Sequence, residues 1–138
     1  MNMPSHYALR AVLVVAGLAI VFLGLNVALG GILTMGWQGG STPFLTVTDP
    51  ALFAVRDNHI RFIGGVWLGV GVIFLVAAFL FSQLRITLLV LIGMIFLGGL
   101  ARFSVGDPAV FLDPAISPSL LLELIGFPLL GWWIARAA

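Results

Sequence analysis

Two apolar segments joined by a short polar turn decide the fold of this chain. Residues 60–104 read IRFIGGVWLGVGVIFLVAAFLFSQLRITLLVLIGMIFLGGLARFS, in which segments 60–81 and 86–104 flank the turn Ser82, Gln83, Leu84, Arg85. A bilayer is spanned by about 20 apolar residues at about 1.5 Å each, so both segments are long enough to cross it. A turn this short makes the two helices antiparallel neighbours.

Two further apolar segments, residues 8–29 and 120–134, bring the number of predicted spans to four. The last is short and needs residues 117–119 to complete its length. Of the 138 residues, 62% are apolar and only 8% are charged, whereas a soluble domain carries about 25% charged residues. We therefore predict a single all-α membrane domain over residues 1–138, a four-helix antiparallel bundle with helices at about 8–29, 58–81, 86–104 and 118–135.

The first segment also permits a second interpretation, that of a secretory signal. Arg10 precedes its apolar core, and Ala28 and Gly30 resemble a cleavage site of small residues. The apolar stretch is longer than the roughly 7–15 residues of a signal core. We therefore interpret it as the first membrane span.

Arginine placement predicts the orientation of the helices. Arg10, Arg85 and Arg136 fall on one side if the helices alternate, and the positive-inside rule makes that side cytoplasmic. Both termini are then cytoplasmic. The opposite side receives the loops 30–56 and 105–118, and Trp37 is expected at the membrane surface.

Two proline signals predict where helices begin. Asp49 before Pro50 and Ser117 before Pro118 each combine a capping side chain with a first-turn proline. A helix running unbroken from Pro50 to residue 81 would be about 48 Å long, which exceeds the bilayer. A break or a surface turn is therefore expected near Asp57 and Asn58.

Counting depth along the helices predicts one polar cluster towards the outer side. Arg102 lies about 26 Å above Arg85, and Glu123 lies about 20 Å above Arg136. The two depths differ by about one helical turn, which the long side chain of Arg102 can bridge, so an Arg102–Glu123 pair is possible. Asp57 and Arg61 are spaced as a favourable i, i+4 pair. The predicted cluster comprises Asn26, Asp57, His59, Arg61, Arg102 and Glu123.

Small residues and one proline are predicted to support this cluster. Gly65 is expected opposite Arg102, and Gly69 opposite Gly98, which would let the helix backbones approach. Pro128 removes the hydrogen bond to the Leu124 carbonyl and is expected to kink the last helix, so that Arg102 can donate to that carbonyl as well as to Glu123. The predicted packing set comprises Gly64, Gly65, Gly69, Gly98, Gly99 and Pro128.

The cluster fits several kinds of site. The arginines, with His59 and Asn26, can hold a lipid headgroup, a quinone carbonyl or a small acid. They can equally clamp the helices together, and His59 with Glu123 can form a proton relay. The cluster offers one histidine, and the arginines around it would repel a metal cation. No metal site is therefore predicted. The chain has no cysteine and no readable pairing of a nucleophile with a base, so an enzyme is disfavoured.

Three motifs carry a resemblance to a known family. They are DNHIRFIGG at residues 57–65, LGGLAR at residues 97–102, and Glu123 followed five residues later by Pro128. The chain resembles the bacterial four-helix membrane family catalogued as domain of unknown function family 4345. The resemblance covers nearly the whole chain and implies a small inner-membrane protein, distantly similar to DoxX-like proteins, some of which are associated with quinone-linked redox systems.

Three functional hypotheses stay open. The first is a non-enzymatic accessory or ligand-binding component of a membrane assembly. The second is a quinone- or lipid-linked redox component, and the third is an oligomeric small-solute or proton-coupled transporter. No cofactor is predicted beyond a quinone or a lipid. The expected partners are membrane lipids, other membrane subunits or further copies of the chain, and not nucleic acid.

Overall fold

A computed structural model describes residues 3–34 and 46–137, and every element within them is helical. Four helices are long and apolar enough to cross a membrane: Tyr7–Leu33, Pro50–Phe79, Phe81–Val105 and Ser117–Arg136. The predicted all-α fold with four membrane-spanning helices is confirmed. The orientation of the termini stays a prediction, and Trp37 lies outside the described residues.

Within the described residues, α-helices are interspersed with short 3₁₀ and π turns. The elements are α1 (Met3–Gly30), a 3₁₀ turn (Gly31–Thr34), α2 (Pro50–Phe79), α3 (Phe81–Ala101), a 3₁₀ turn (Arg102–Val105), α4 (Pro108–Leu112), α5 (Ser117–Leu121), a π turn (Leu122–Gly126) and α6 (Phe127–Arg136). The chain divides into two compact units. The first unit is Ala11–Val76, and the second is Met1–Arg10 with Ala77–Ala138.

A seam of small residues joins α1 and α2 in the first unit. A Cβ added to Gly71 would lie 2.6 Å from the Val21 nitrogen, and one added to Gly24 or Gly64 would overlap the backbone of Leu68 or Ala28. Contacts this close require glycine because any side chain would push the backbones apart. The four contacts are Gly17–Leu75, Val21–Gly71, Gly24–Leu68 and Ala28–Gly64.

These four contacts define an antiparallel register. Residue numbers rise along α1 in steps of four, three and four while they fall along α2 by the same steps. Alternation of three and four residues keeps one face of each helix towards its partner, as in heptad packing. The seam therefore aligns residues 17–28 of α1 with residues 64–75 of α2.

The second helix is longer than predicted. It runs unbroken from Pro50 to Phe79, so the break expected near Asp57 and Asn58 is wrong. The Asp49–Pro50 start is confirmed, because Asp49 Oδ1 accepts a hydrogen bond from the Leu52 nitrogen at 3.0 Å. Asp57 lies inside this helix and does not cap a helix start. Its carboxylate accepts a hydrogen bond from the Ile32 nitrogen, which follows α1.

The turn between α2 and α3 is shorter than predicted. Residues 82–85 are helical, and the break falls at Leu80 with φ −111° and ψ 46°. The Leu84 nitrogen donates to the Leu80 carbonyl at 3.1 Å, so the first turn of α3 already includes the predicted turn. Ser82 hydroxyl donates to Gln83 Oε1 at 2.8 Å and leaves the helix backbone uninterrupted.

In the second unit α3 runs antiparallel to α5 and α6. A Cβ on Gly131 would lie 3.2 Å from Ile92, and one on Gly99 would lie 2.9 Å from Glu123, which sets the register. The buried side chains that fill this unit are aliphatic: Leu9, Ala77, Ala78, Leu88, Leu91, Ile92, Ile95, Leu120, Leu130, Ile134 and Ala137.

The start of the fourth span corrects one prediction. Ser117 is the first residue of α5, and the preceding residue, Ile116, makes no side-chain capping bond. The cap expected from Ser117 is therefore wrong. Asp113 closes this turn instead, since its carbonyl accepts from the Ser117 nitrogen at 2.8 Å and its Oδ1 accepts from the Ala115 nitrogen at 2.8 Å. The preceding loop also contains α4, whose cap is Asp107.

Candidate functional site

Asp57 and Arg61 close the end of α1. Arg61 Nε lies 2.6 Å from Asp57 Oδ2, and Arg61 Nη1 donates to the carbonyls of Ala28 and Leu29. Asp57 Oδ1 accepts from the Ile32 nitrogen at 2.7 Å. The last carbonyls of a helix have no partner within it, and unsatisfied backbone groups are costly in lipid. The pair therefore satisfies donors and acceptors at the end of the first helix.

Gly31 makes this closure possible. Its φ is +67°, in the left-handed region that favours glycine, and a Cβ there would overlap Asp57 Oδ1. The backbone reversal after α1 and the seat of the Asp57 carboxylate thus depend on the same residue.

Replacing Gly31 with alanine should therefore destabilise the protein more than a matched replacement of Gly106. Gly106 also has a positive φ, +73°, but a Cβ there would meet no heavy atom within 4 Å. Gly106→Ala is expected to lower the free energy of unfolding by about 1–2 kcal/mol from backbone strain alone. Gly31→Ala carries the same strain and also displaces the Asp57 carboxylate. Equilibrium unfolding in mixed micelles measures how much more unfolding free energy Gly31→Ala loses than Gly106→Ala. Equal losses would show that Asp57 does not need the space above Gly31.

The second ion pair joins Arg102 and Glu123. Arg102 Nε donates to Glu123 Oε2 at 2.7 Å, and Arg102 Nη2 donates to Glu123 Oε1 at 2.6 Å. The side chains are 38% and 13% exposed, respectively. Two parallel charge-assisted bonds fix the plane of the guanidinium, which a lysine in its place could not reproduce.

The turn that carries Glu123 is a π turn. The Phe127 nitrogen donates to the Leu122 carbonyl five residues back, and Pro128 follows without an N–H to restore the usual spacing. The kink predicted at Pro128 stays a prediction, and the turn before this proline is widened. The predicted donation from Arg102 to the Leu124 carbonyl is wrong, since both of the Arg102 bonds within the described residues go to the carboxylate.

Gly99 provides the space for Glu123. A Cβ on Gly99 would lie 2.9 Å from Glu123 Cβ and 3.3 Å from Glu123 Oε2. At Gly65, Gly69 and Gly98, by contrast, an added Cβ would meet no heavy atom of the described chain within 4 Å. Among the glycines predicted for packing, close approach therefore occurs at Gly64 and Gly99.

The unused donors of Arg102 define what this site can bind. A guanidinium has five N–H bonds, and the carboxylate receives two of them, which leaves three. Phe103, the next residue, pairs with Phe111 at a ring-centroid distance of 4.8 Å and an interplanar angle of 60°. A cation with unused donors, followed in sequence by an aromatic residue, suits a ligand with a polar acceptor and an apolar body.

The other predicted members of the cluster have separate surroundings. Asn26 lies half-buried on α1 and His59 lies exposed on α2. The Asp57–Arg61 pair belongs to the first unit and the Arg102–Glu123 pair to the second. The convergence of all these groups in one cluster stays a prediction. In the described ranges no three or more His, Cys, Asp or Glu side chains group as metal ligands.

Sequence reasoning missed a structural role for Arg85. Its Nε donates to the Ile134 carbonyl at 3.2 Å, and its Nη2 donates to the Ala135 carbonyl, so it caps the end of α6. A basic residue facing the last turn of a partner helix stabilises the unpaired carbonyls there. The antiparallel hairpin of α3 with the last helix would have indicated this role, because it brings the start of α3 to the end of α6.

Comparison with known proteins identifies the family. The family model described as Domain of unknown function (DUF4345) matches residues 8–134. No curated protein and no solved structure matches the chain. The family match covers all four spans, so this chain belongs to the DUF4345 family.

Proposed function

We propose that this protein is a non-enzymatic, multi-pass component of the bacterial inner membrane that binds an anionic or carbonyl-bearing membrane ligand at Arg102. The observation that carries this proposal is the bidentate Arg102–Glu123 pair, which fixes the guanidinium and leaves three N–H bonds unused. Arg10, Arg85 and Arg136 support an orientation with both termini in the cytoplasm.

The surroundings of Arg102 favour a ligand over solvent as the acceptor. Arg102 lies in the last turn of the span Phe81–Val105, where a charged side chain is costly unless it is paired. Glu123 neutralises the charge without occupying every donor. A lipid phosphate or a quinone carbonyl supplies the missing acceptor, and its apolar part can pack against Phe103.

Arg61 is the weaker candidate for the same role. Its Nε bond goes to Asp57 and its Nη1 bonds go to two carbonyls at the end of α1. A ligand that drew Arg61 away would leave those backbone groups unsatisfied. We therefore assign Arg61 to the structure of the first unit and Arg102 to ligand binding.

Native mass spectrometry of the protein in mild detergent tests this assignment. The probes are a short-chain ubiquinone analogue and phosphatidylglycerol, each added separately. Arg102→Gln should reduce the retained adduct of at least one probe by about tenfold or more, because hydrogen bonds to a charged group are strong. Arg56→Gln removes the same charge from an exposed residue and should retain the adduct as wild type does. Undiminished adducts of both probes in Arg102→Gln would contradict the proposal.

The same preparation addresses the accessory role. A membrane subunit that copurifies in a fixed ratio would support an accessory component. The redox and transport hypotheses call for different readouts, the redox state of the bound quinone and solute flux in proteoliposomes.

A further inference from the structure

A small cavity lies in the second unit, at the opposite end of α3 from Arg102. It is lined by Leu9, Arg10, Phe79, Phe81 and Ser82 and encloses about 200 Å³. That volume is below the roughly 300–1,000 Å³ of most small-molecule pockets, so it suits a headgroup more than a whole ligand.

The cavity sits where membrane spans begin and end. The first span begins at Tyr7, the second ends at Phe79 and the third begins at Phe81. Its lining residues therefore lie at the boundary between hydrocarbon and water, where headgroups and their phosphates are found.

Arg10 is the charged residue among the described residues that line the cavity. No hydrogen bond or ion pair to Arg10 occurs in the part of the chain that the structure describes, whereas Arg61, Arg85 and Arg102 all have such bonds. Its side chain is exposed. Its charge is therefore available to an external anion.

The remaining lining completes an amphiphilic site. Ser82 carries a hydroxyl that can donate or accept, and it now donates to the neighbouring Gln83. Phe79 is 75% exposed and offers a ring surface to an acyl chain. One cation, one hydroxyl and two phenylalanines at the membrane boundary match a phosphate attached to a lipid.

We propose that this cavity binds the phosphate of an anionic phospholipid, with Arg10 pairing to the phosphate and Phe79 and Phe81 contacting the acyl chains. Basic pockets between helices at the cytoplasmic surface commonly hold such lipids. The site is separate from Arg102 and does not depend on the ligand proposed there.

Lipid retention in nanodiscs tests the site with the full chain. The nanodiscs contain phosphatidylcholine with a minor fraction of phosphatidylglycerol, and native mass spectrometry counts the phosphatidylglycerol that stays bound. Arg10→Gln should retain about fivefold less than wild type, the effect of one basic residue near an anionic surface. Arg56→Gln, which removes an equal charge from an exposed residue, should match wild type. Arg10→Lys should keep about half or more of the bound lipid, because lysine still pairs with phosphate as a point charge.

Three outcomes would overturn the proposal. Equal losses in Arg10→Gln and Arg56→Gln would mean that the lipid follows overall charge. Unchanged retention in Arg10→Gln, with the same thermal midpoint as wild type, would exclude Arg10 from the site. Displacement of the lipid by inorganic phosphate at equal concentration would identify free phosphate as the ligand.

Discussion

Gly64→Ala is expected to lower the free energy of unfolding by about 3 kcal/mol, the upper end of the typical range for overpacking. The added Cβ would overlap the backbone at Ala28 and Val27 on α1, and a backbone cannot move aside as a flexible side chain does. The two helices must separate, and the seam through Gly24 and Gly71 must loosen with them. Equilibrium unfolding in mixed detergent micelles measures the loss.

The neighbouring residue supplies the matched control. Gly65→Ala places the same methyl group where no heavy atom of residues 3–34 and 46–137 lies within 4 Å. Because alanine favours a helix over glycine, this variant should be as stable as wild type or more stable by about 0.5–1 kcal/mol. If Gly65→Ala were as destabilised as Gly64→Ala, the assigned register of α1 and α2 would be incorrect.

Glu123→Gln is the second large expected effect. It leaves the Arg102 charge near the end of a membrane span without its carboxylate, and breaking a fully buried pair costs about 3–5 kcal/mol. Arg102 is 38% exposed, so solvent screens part of this and we expect a loss of about 1–3 kcal/mol in the free energy of unfolding. The same micelle unfolding experiment measures it.

A double-mutant cycle isolates the contribution of the pair. Arg102→Gln and Glu123→Gln are each expected to destabilise the protein, whereas the double variant replaces both charges and should lose less than the sum of the two. The Gln83→Ala variant, at the opposite end of α3 from Arg102, serves as a site whose effect should add to Glu123→Gln without coupling. Strict additivity between Arg102→Gln and Glu123→Gln would contradict the bidentate contact.

The Arg102–Glu123 pair was predictable because both residues lie within apolar spans where depth can be counted and an unpaired charge is costly. The Asp49–Pro50 start was predictable because a cap depends on neighbouring residues alone. The four spans were predictable because the length of each apolar stretch is read directly from the local sequence. These features are set by local sequence or by the requirements of the bilayer.

Features that depend on distant residues could not be predicted in the same way. The role of Asp57 depends on its hydrogen bond from the nitrogen of Ile32, 25 residues earlier. Without that contact the sequence suggested a helix break at Asp57, whereas its carboxylate closes the end of α1. Gly64 contacts the backbone of α1, whereas a Cβ on its neighbour Gly65 would meet no described residue within 4 Å. Telling the two apart requires the register of α1 and α2 to within one residue.

The most direct test of the central claim is an experimental map of the protein in lipid nanodiscs that resolves the surroundings of Arg102. The account predicts a phosphate or carbonyl oxygen within about 2.7–3.2 Å of the Arg102 nitrogens that Glu123 does not occupy, with the apolar part of the ligand against Phe103. A map in which Arg102 is held by Glu123 alone, with only water or acyl chains at its remaining nitrogens, would contradict it.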